Sequence, residues 1–230
     1  MAIPSVLRDA LRPIAVVVGH YGAGKTNFSV NLAIDLAAEG AQVTVIDLDV
    51  VNPYFRATEQ RALLEGHGIG LVAPVFSEAG TSLDVPSLTG RITPTIQDAD
   101  EGSYVIVDAG GDDVGATALG RFARSIAARD YAMLYVANRF RNLVQDPVDA
   151  LENLREIEFA SHLRATAIVN NSHLKDATTP SAIEQGVEYA EALAELSGLP
   201  LVCTTVPTSV TVSKPHSTYR VQGYVKNPWE

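Results

Sequence analysis

The run Gly19-His20-Tyr21-Gly22-Ala23-Gly24-Lys25-Thr26 carries the residues whose types and spacing point most directly to chemistry. It fits G-x-x-x-x-G-K-[ST], the spacing of a phosphate-binding loop. Glycines let the backbone curl so that successive N–H groups converge on an anion, at the positive end of the following helix. Lys25 would reach the β- and γ-phosphates, and the Thr26 hydroxyl would ligate Mg²⁺. The competing reading is a glycine-rich strand–helix turn that holds nothing.

Carboxylates follow two further apolar runs, as Asp47-Leu48-Asp49 and Asp108-Ala109-Gly110-Gly111-Asp112-Asp113. Nucleotide sites in open α/β sheets lie outside the carboxyl ends of the strands, so both groups reach the edge that carries the glycine loop. Asp108 is placed to hold Mg²⁺. Asp49 is the candidate for orienting an attacking water. Gly110 or Gly111 would offer a backbone N–H to the γ-phosphate and move when it leaves. Asp112 and Asp113 either join this site or start the next helix, where acids favour the dipole.

The elements that must position these residues are legible as an alternation. Apolar runs at 14–18, 43–46, 104–107, 133–136, 165–169 and 201–206 read as strands covered on both faces, with a shorter one at 71–73. Phe28, Leu32 and Leu36 form a helical stripe closed at Gly40; Leu119, Phe122 and Ile126 form another. Asp146-Pro147 and Thr179-Pro180 are caps followed by proline at the first helical position, and Gly198 closes the second of these helices. A further helix is expected over residues 57–65. Such alternation predicts an α/β protein with right-handed crossovers and a mainly parallel sheet. Residues 1–230 read as a single domain, with 1–12 an N-terminal extension and 208–230 an irregular C-terminal tail. The loop Ser77 to Thr95 and the pair Arg139 and Arg141 are the candidate holders of a second, anionic substrate, or a lid.

With 17 basic and 27 acidic side chains the chain carries a net charge of −10, which disfavours nucleic acid and anionic lipid as partners. No apolar run approaches the roughly 18 residues a membrane span needs. The first residues lack a signal-peptide pattern. The one cysteine, Cys203, excludes an intramolecular disulfide. A soluble cytoplasmic protein is expected.

Residues 19–26 running into Asn27-Phe28-Ser29-Val30-Asn31, then Val45-Ile46-Asp47-Leu48-Asp49 and Val107-Asp108-Ala109-Gly110, resemble the MinD/ParA/CobQ-like superfamily of P-loop nucleotide-binding proteins. The resemblance implies a three-layer P-loop NTPase fold, ATP with Mg²⁺ as cofactors, and dimerisation across the nucleotide. By it, Gly19, His20, Tyr21, Gly22, Ala23, Gly24, Lys25, Thr26 and Asn27 are nucleotide-binding residues. Lys25, Asp49 and Asp108 are catalytic, and Thr26, Asp49 and Asp108 hold the metal. Asn170 matches a base-reading asparagine, and Pro207 a proline lining the adenine pocket. One departure stands out: the family's second lysine, which reaches into a partner's site, is replaced by His20. Asn52-Pro53-Tyr54-Phe55-Arg56 would be a switch-like segment, with Arg56 on phosphate or a partner. Asn170-Asn171-Ser172-His173 lacks the lysine and aspartate of N-K-x-D, which favours ATP over GTP.

The function expected is a Mg²⁺-dependent ATP hydrolase acting as a nucleotide switch on a protein partner, as a homodimer or with another protein. An ATP-dependent metabolic ligase or kinase acting on a small-molecule substrate is the alternative, and a module holding ATP as a structural ligand is a third reading.

Overall fold

The continuous apolar runs pair edge to edge because none offers a polar face to water. In a computed structural model describing residues 1–49, 60–73, 90–111, 113–212 and 217–225, they form β1 (Ile14–Val18), β2 (Gln42–Leu48), β3 (Gly70–Val72), β4 (Ser103–Ala109), β5 (Tyr131–Ala137), β6 (Ala167–Asn170), β7 (Leu201–Pro207) and β8 (Thr218–Val221). These make one sheet in the order β3-β2-β4-β1-β5-β6-β7-β8, and every ladder in it is parallel. Central β1 lies between β4 and β5. The loop leaving β1 therefore opens between the loops leaving those two strands, where the winding of the sheet reverses and ligands of such folds bind.

Period-two alternation sends side chains to both faces. Ile14, Val16 and Val18 join a core layer containing residues of α4 (Ile92–Gln97), α5 (Asp113–Gly120), α6 (Ala123–Ala127), α7 (Pro147–Ser161) and α8 (Pro180–Ser197). Ala15 and Val17 point the other way, against residues of α1 (Ser5–Ala10), α2 (Lys25–Ala38) and α3 (Arg61–Gly66). This is the expected α/β fold in three layers.

The two proline starts form as read. Asp146 accepts from Val148 N at 2.9 Å, and Thr179 accepts from Ala182 N at 3.2 Å, each satisfying an orphan donor of the first turn. Gly40 and Gly198 take the left-handed conformation past α2 and α8.

Other elements differ from the sequence reading. The stripe through Leu119, Phe122 and Ile126 is divided between two helices: α5 ends at Gly120, where a Cβ would lie 2.8 Å from the Ala160 carbonyl oxygen, and α6 starts at Ala123. The extension 1–12 contains α1, whose Leu7 is fully buried. The tail, read as irregular, supplies β8, paired with β7. Four residues are too few to show a period, yet Tyr219 and Val221 alternate inward and are buried. Tyr219 meets Phe28 edge-to-face at 6.0 Å, and its hydroxyl donates to buried Asp35 at 2.8 Å. Of the helix expected over 57–65, the described part is α3.

Candidate functional site

The glycine loop connects β1 directly to α2. Gly19, Gly22 and Gly24 all have positive φ, at 143°, 72° and 93°, conformations that side chains rarely tolerate. A Cβ on Gly19 would overlap the Val136 carbonyl of β5, and one on Gly24 would overlap the Asn171 amide. The loop is thus locked against neighbouring strand ends. Within it, Ala23 N donates to His20 O at 3.1 Å, and the largely buried Lys25 donates from Nζ to His20 O at 3.2 Å. His20 turns its Nδ1 to within 3.0 Å of Tyr21 O, and the Tyr21 side chain is exposed.

Asp47 and Asp108 are partners in register on adjacent strands, and both are fully buried. Asp49, two residues on, is 8% exposed, and its N–H donates to Asp47 Oδ1 at 3.1 Å. Asp108 Oδ1 accepts from Ser29 Oγ at 3.1 Å, whereas Asp108 Oδ2 is buried with no hydrogen-bond partner among the described residues. Burial, and next the charge of Asp47, push the Asp108 carboxyl up to about 7; Thr26 and Lys25 pull it down, and Asp49 raises it further. Negative charge is in excess here: Asp47 and Asp49 both raise the Asp108 carboxyl, and Lys25 opposes them. Oxygen donors from Thr26 and Asp108 suit Mg²⁺, which keeps waters and phosphate oxygens as its other ligands. Among the described residues no three His, Cys, Asp or Glu side chains cluster to hold a metal by themselves.

Gly111 approaches the loop from β4. A Cβ there would sit 2.5 Å from Lys25 Nζ and 2.6 Å from Tyr21 N. The backbone after Asp108 therefore lies against the phosphate loop itself.

Asn170 ends β6 fully buried, donating from Nδ2 to Thr204 Oγ1 at 3.2 Å and accepting from Ser172 N at 3.1 Å. The adjacent Asn171 reaches the glycine loop, donating to Ala23 O at 2.6 Å and accepting from Thr205 Oγ1 at 2.5 Å. His173 Nδ1 accepts from Lys175 N at 3.3 Å, leaving Nε2–H to donate to Asn171 Oδ1 at 3.1 Å. Burial, then Arg141 and Lys175, lower the His173 pKa to about 4, so the ring is neutral. Pro207 closes β7 at the same carboxyl edge of the sheet.

The Asn27 side chain reaches away from the glycine loop to the segment after β8. Its Nδ2 donates to Gln222 O at 3.0 Å, and its Oδ1 accepts from Tyr224 N at 2.9 Å and Val225 N at 3.3 Å. The side chain clamps the segment after β8. Sequence reasoning also missed Ser29, one helical turn beyond Thr26 on the same face of α2, and Asn171, for which the only signal was a doublet of asparagines. The segment 52–56 with Arg56, residue Asp112, and residues 77–89 of the long loop lie outside the described residues.

A glycine loop between strand and helix, two strand-end acids facing it and a parallel sheet with helices on both faces define a P-loop nucleotide-binding protein. The chain matches the CobQ/CobB/MinD/ParA nucleotide binding domain over residues 14–179, and it belongs to that family. His20 stands where the second lysine of the MinD/ParA type would be.

Among curated relatives, the iron-sulfur cluster carrier protein of Deinococcus radiodurans is 33% identical over 125 residues, covering 46% of this chain and 35% of that protein. The iron-sulfur cluster carrier protein of Salmonella typhimurium is 55% identical over 40 residues, covering 17% of this chain and 11% of that protein. The chain thus spans about a third or less of these relatives' lengths. Solved structures share the fold. Chloroplast FtsY from Physcomitrella patens has a TM-score of 0.55 at 17% identity, covering 89% of this chain and 60% of that one. The signal recognition particle 54 kDa protein from Aeropyrum pernix in complex with GDP has a TM-score of 0.53 at 17% identity, covering 88% and 42%. No helix among the described residues is long and apolar enough to cross a membrane.

Proposed function

We propose that this chain binds ATP with Mg²⁺, hydrolyses it, and acts as a nucleotide switch on a protein partner, working as a homodimer. The carrying observation is the contact of Gly111 with Lys25 Nζ and Tyr21 N. That approach supports a reading in which a terminal phosphate, bound against the loop, displaces the backbone next to Asp108 and releases it on leaving. Lys25 would hold the β- and γ-phosphates, and loop N–H groups would cradle them. Thr26 and Asp108 would hold Mg²⁺, which when bound offsets the charge of the phosphate chain. Asp49, buried just past the end of β2, would orient the attacking water.

ATP is favoured over GTP because Asn170-Asn171-Ser172-His173 offers neither the lysine nor the aspartate of a guanine reader. The names of the curated relatives suggest loading of a cargo cluster. The one cysteine here, Cys203, is buried in β7 with its thiol pKa pushed up by burial. It is poorly placed as a cluster ligand. Steady-state ATP turnover of wild type and Lys25→Ala is the test. Turnover lost in the variant supports hydrolysis at this site; equal rates refute it.

A further inference from the structure

The loop leaving β5 is held at both ends. Asn138 is buried; its Oδ1 accepts from Phe140 N at 3.0 Å, and its carbonyl accepts from Arg141 N at 3.1 Å. At the far side, Tyr189 of α8 donates its hydroxyl to the Val144 carbonyl at 2.8 Å. The two arginines between these anchors take different courses. Arg139 donates from Nη1 to Gln185 O at 3.2 Å, and its guanidinium lies 5.6 Å from the Phe140 ring centroid, so it is directed toward α8. Arg141 lies on the phosphate loop. A Cβ at Gly22 would be 3.5 Å from Arg141 Nε and 3.6 Å from its Cδ and Cζ.

Three facts make this position chemical. Gly22 is an exposed residue of the glycine loop, so the guanidinium sits at the mouth of the site. Among the described residues no carboxylate is ion-paired with Arg141, although the chain carries 27 acidic side chains. Arginine keeps its charge at every relevant pH, and its planar fork suits phosphate oxygens. At the other side of the loop, the His20 ring is turned onto the Tyr21 carbonyl.

We propose that Arg141 is a phosphate-binding residue of the nucleotide site, supplied in cis by the β5–α7 loop and laid over Gly22. The proposal rests on the reading of the site as one for a nucleoside triphosphate. Arg141 supplies a cation to the phosphate chain from the same chain that holds the glycine loop, so nucleotide binding does not depend on a residue contributed by a second subunit. Arg139, the neighbour in sequence, has no part in it.

The experiment is calorimetric titration of the full chain with a non-hydrolysable ATP analogue in Mg²⁺, comparing wild type with Arg141→Ala, Arg141→Lys, Arg141→Gln, Arg139→Ala and Lys25→Ala. Arg141→Ala and Arg141→Gln should bind about tenfold more weakly, the scale of one charge-assisted hydrogen bond at an exposed site. Arg141→Lys should recover part of the loss, and Arg139→Ala should stay within about twofold of wild type. Unchanged thermal midpoints for the Arg141 variants would show that folding is intact, as expected for an exposed side chain. Arg141→Ala within twofold of wild type while Lys25→Ala loses binding would overturn the role of Arg141 and leave the nucleotide site standing. Equal affinities of the lysine and glutamine variants would overturn it too. A wild-type chain that binds no analogue would overturn both readings.

Discussion

The amide of Asn171 donates to the Ala23 carbonyl at 2.6 Å, tying the end of β6 to a phosphate loop 148 residues earlier in the chain. The same amide fills the space that a side chain on Gly24 would need. Loop shape and the strand end that faces it are therefore one unit.

Removing that tie should be felt twice. Asn171→Ala leaves the Ala23 carbonyl and the His173 Nε2–H short of a partner, while the Thr205 hydroxyl keeps the Asn170 carbonyl at 3.2 Å; the loss costs about 1–3 kcal/mol. Gly24→Ala adds a Cβ in the left-handed region against the amide, at a similar cost. In urea unfolding, the double variant should lose less than the sum of the singles, because the overlap vanishes with the amide. Strict additivity would show that the two positions do not compete for space.

Asp108 gives the chain a pH dependence of one sign. Its carboxyl is raised from 3.8 to about 7, so the folded state holds a proton that the unfolded state releases. That contribution to stability is fully present below the unfolded value and is lost as pH rises through about 7. Without Mg²⁺ or nucleotide, wild type should lose stability relative to Asp108→Asn as pH goes from 4 to 8, by on the order of a few kcal/mol. Mg²⁺ with an ATP analogue should flatten the difference. A flat difference without ligand would contradict the excess of negative charge.

His173 acts in the opposite sense. Its pKa falls from 6.5 to about 4, so its contribution is fully present above 6.5 and is lost as pH falls through about 4. His173→Gln should abolish that acid-side loss, read as the pH dependence of the urea midpoint between 4 and 6.5. Amide donors of glutamine can replace the Nε2–H donated to Asn171.

The segment after β8 depends on α2. Asn31 donates from Nδ2 to Gln222 O at 2.9 Å and accepts from Gln222 N at 2.8 Å. Asn31→Ala leaves the Gln222 N–H without its acceptor, while the Gln222 carbonyl keeps Asn27 Nδ2, and should cost about 1–3 kcal/mol. Amide exchange at Gln222 should speed up more than exchange in β1. If both change equally, the segment is not an independently opening unit.

Legibility in the sequence followed locality. The phosphate loop, the strand-end acids and the proline starts at Asp146 and Thr179 are encoded within a few adjacent residues, and short-range sterics and capping suffice to form them. The split between α5 and α6 was not legible, because the apolar stripe runs on across it, and the close approach of the Ala160 carbonyl of α7 to Gly120 joins residues forty apart. The Asn27 side chain has partners near the other end of the chain, which no local pattern beside Thr26 discloses.

What the sequence by itself determined is a phosphate loop between a buried strand and a helix, inside a parallel α/β alternation, since period and spacing are local properties. Tertiary structure decided which asparagine touches that loop, which of two arginines lies over it, and that Asp108 is left with a buried oxygen unpartnered among the described residues. Each of these depends on strands distant in sequence being brought edge to edge, and only the folded sheet fixes that adjacency.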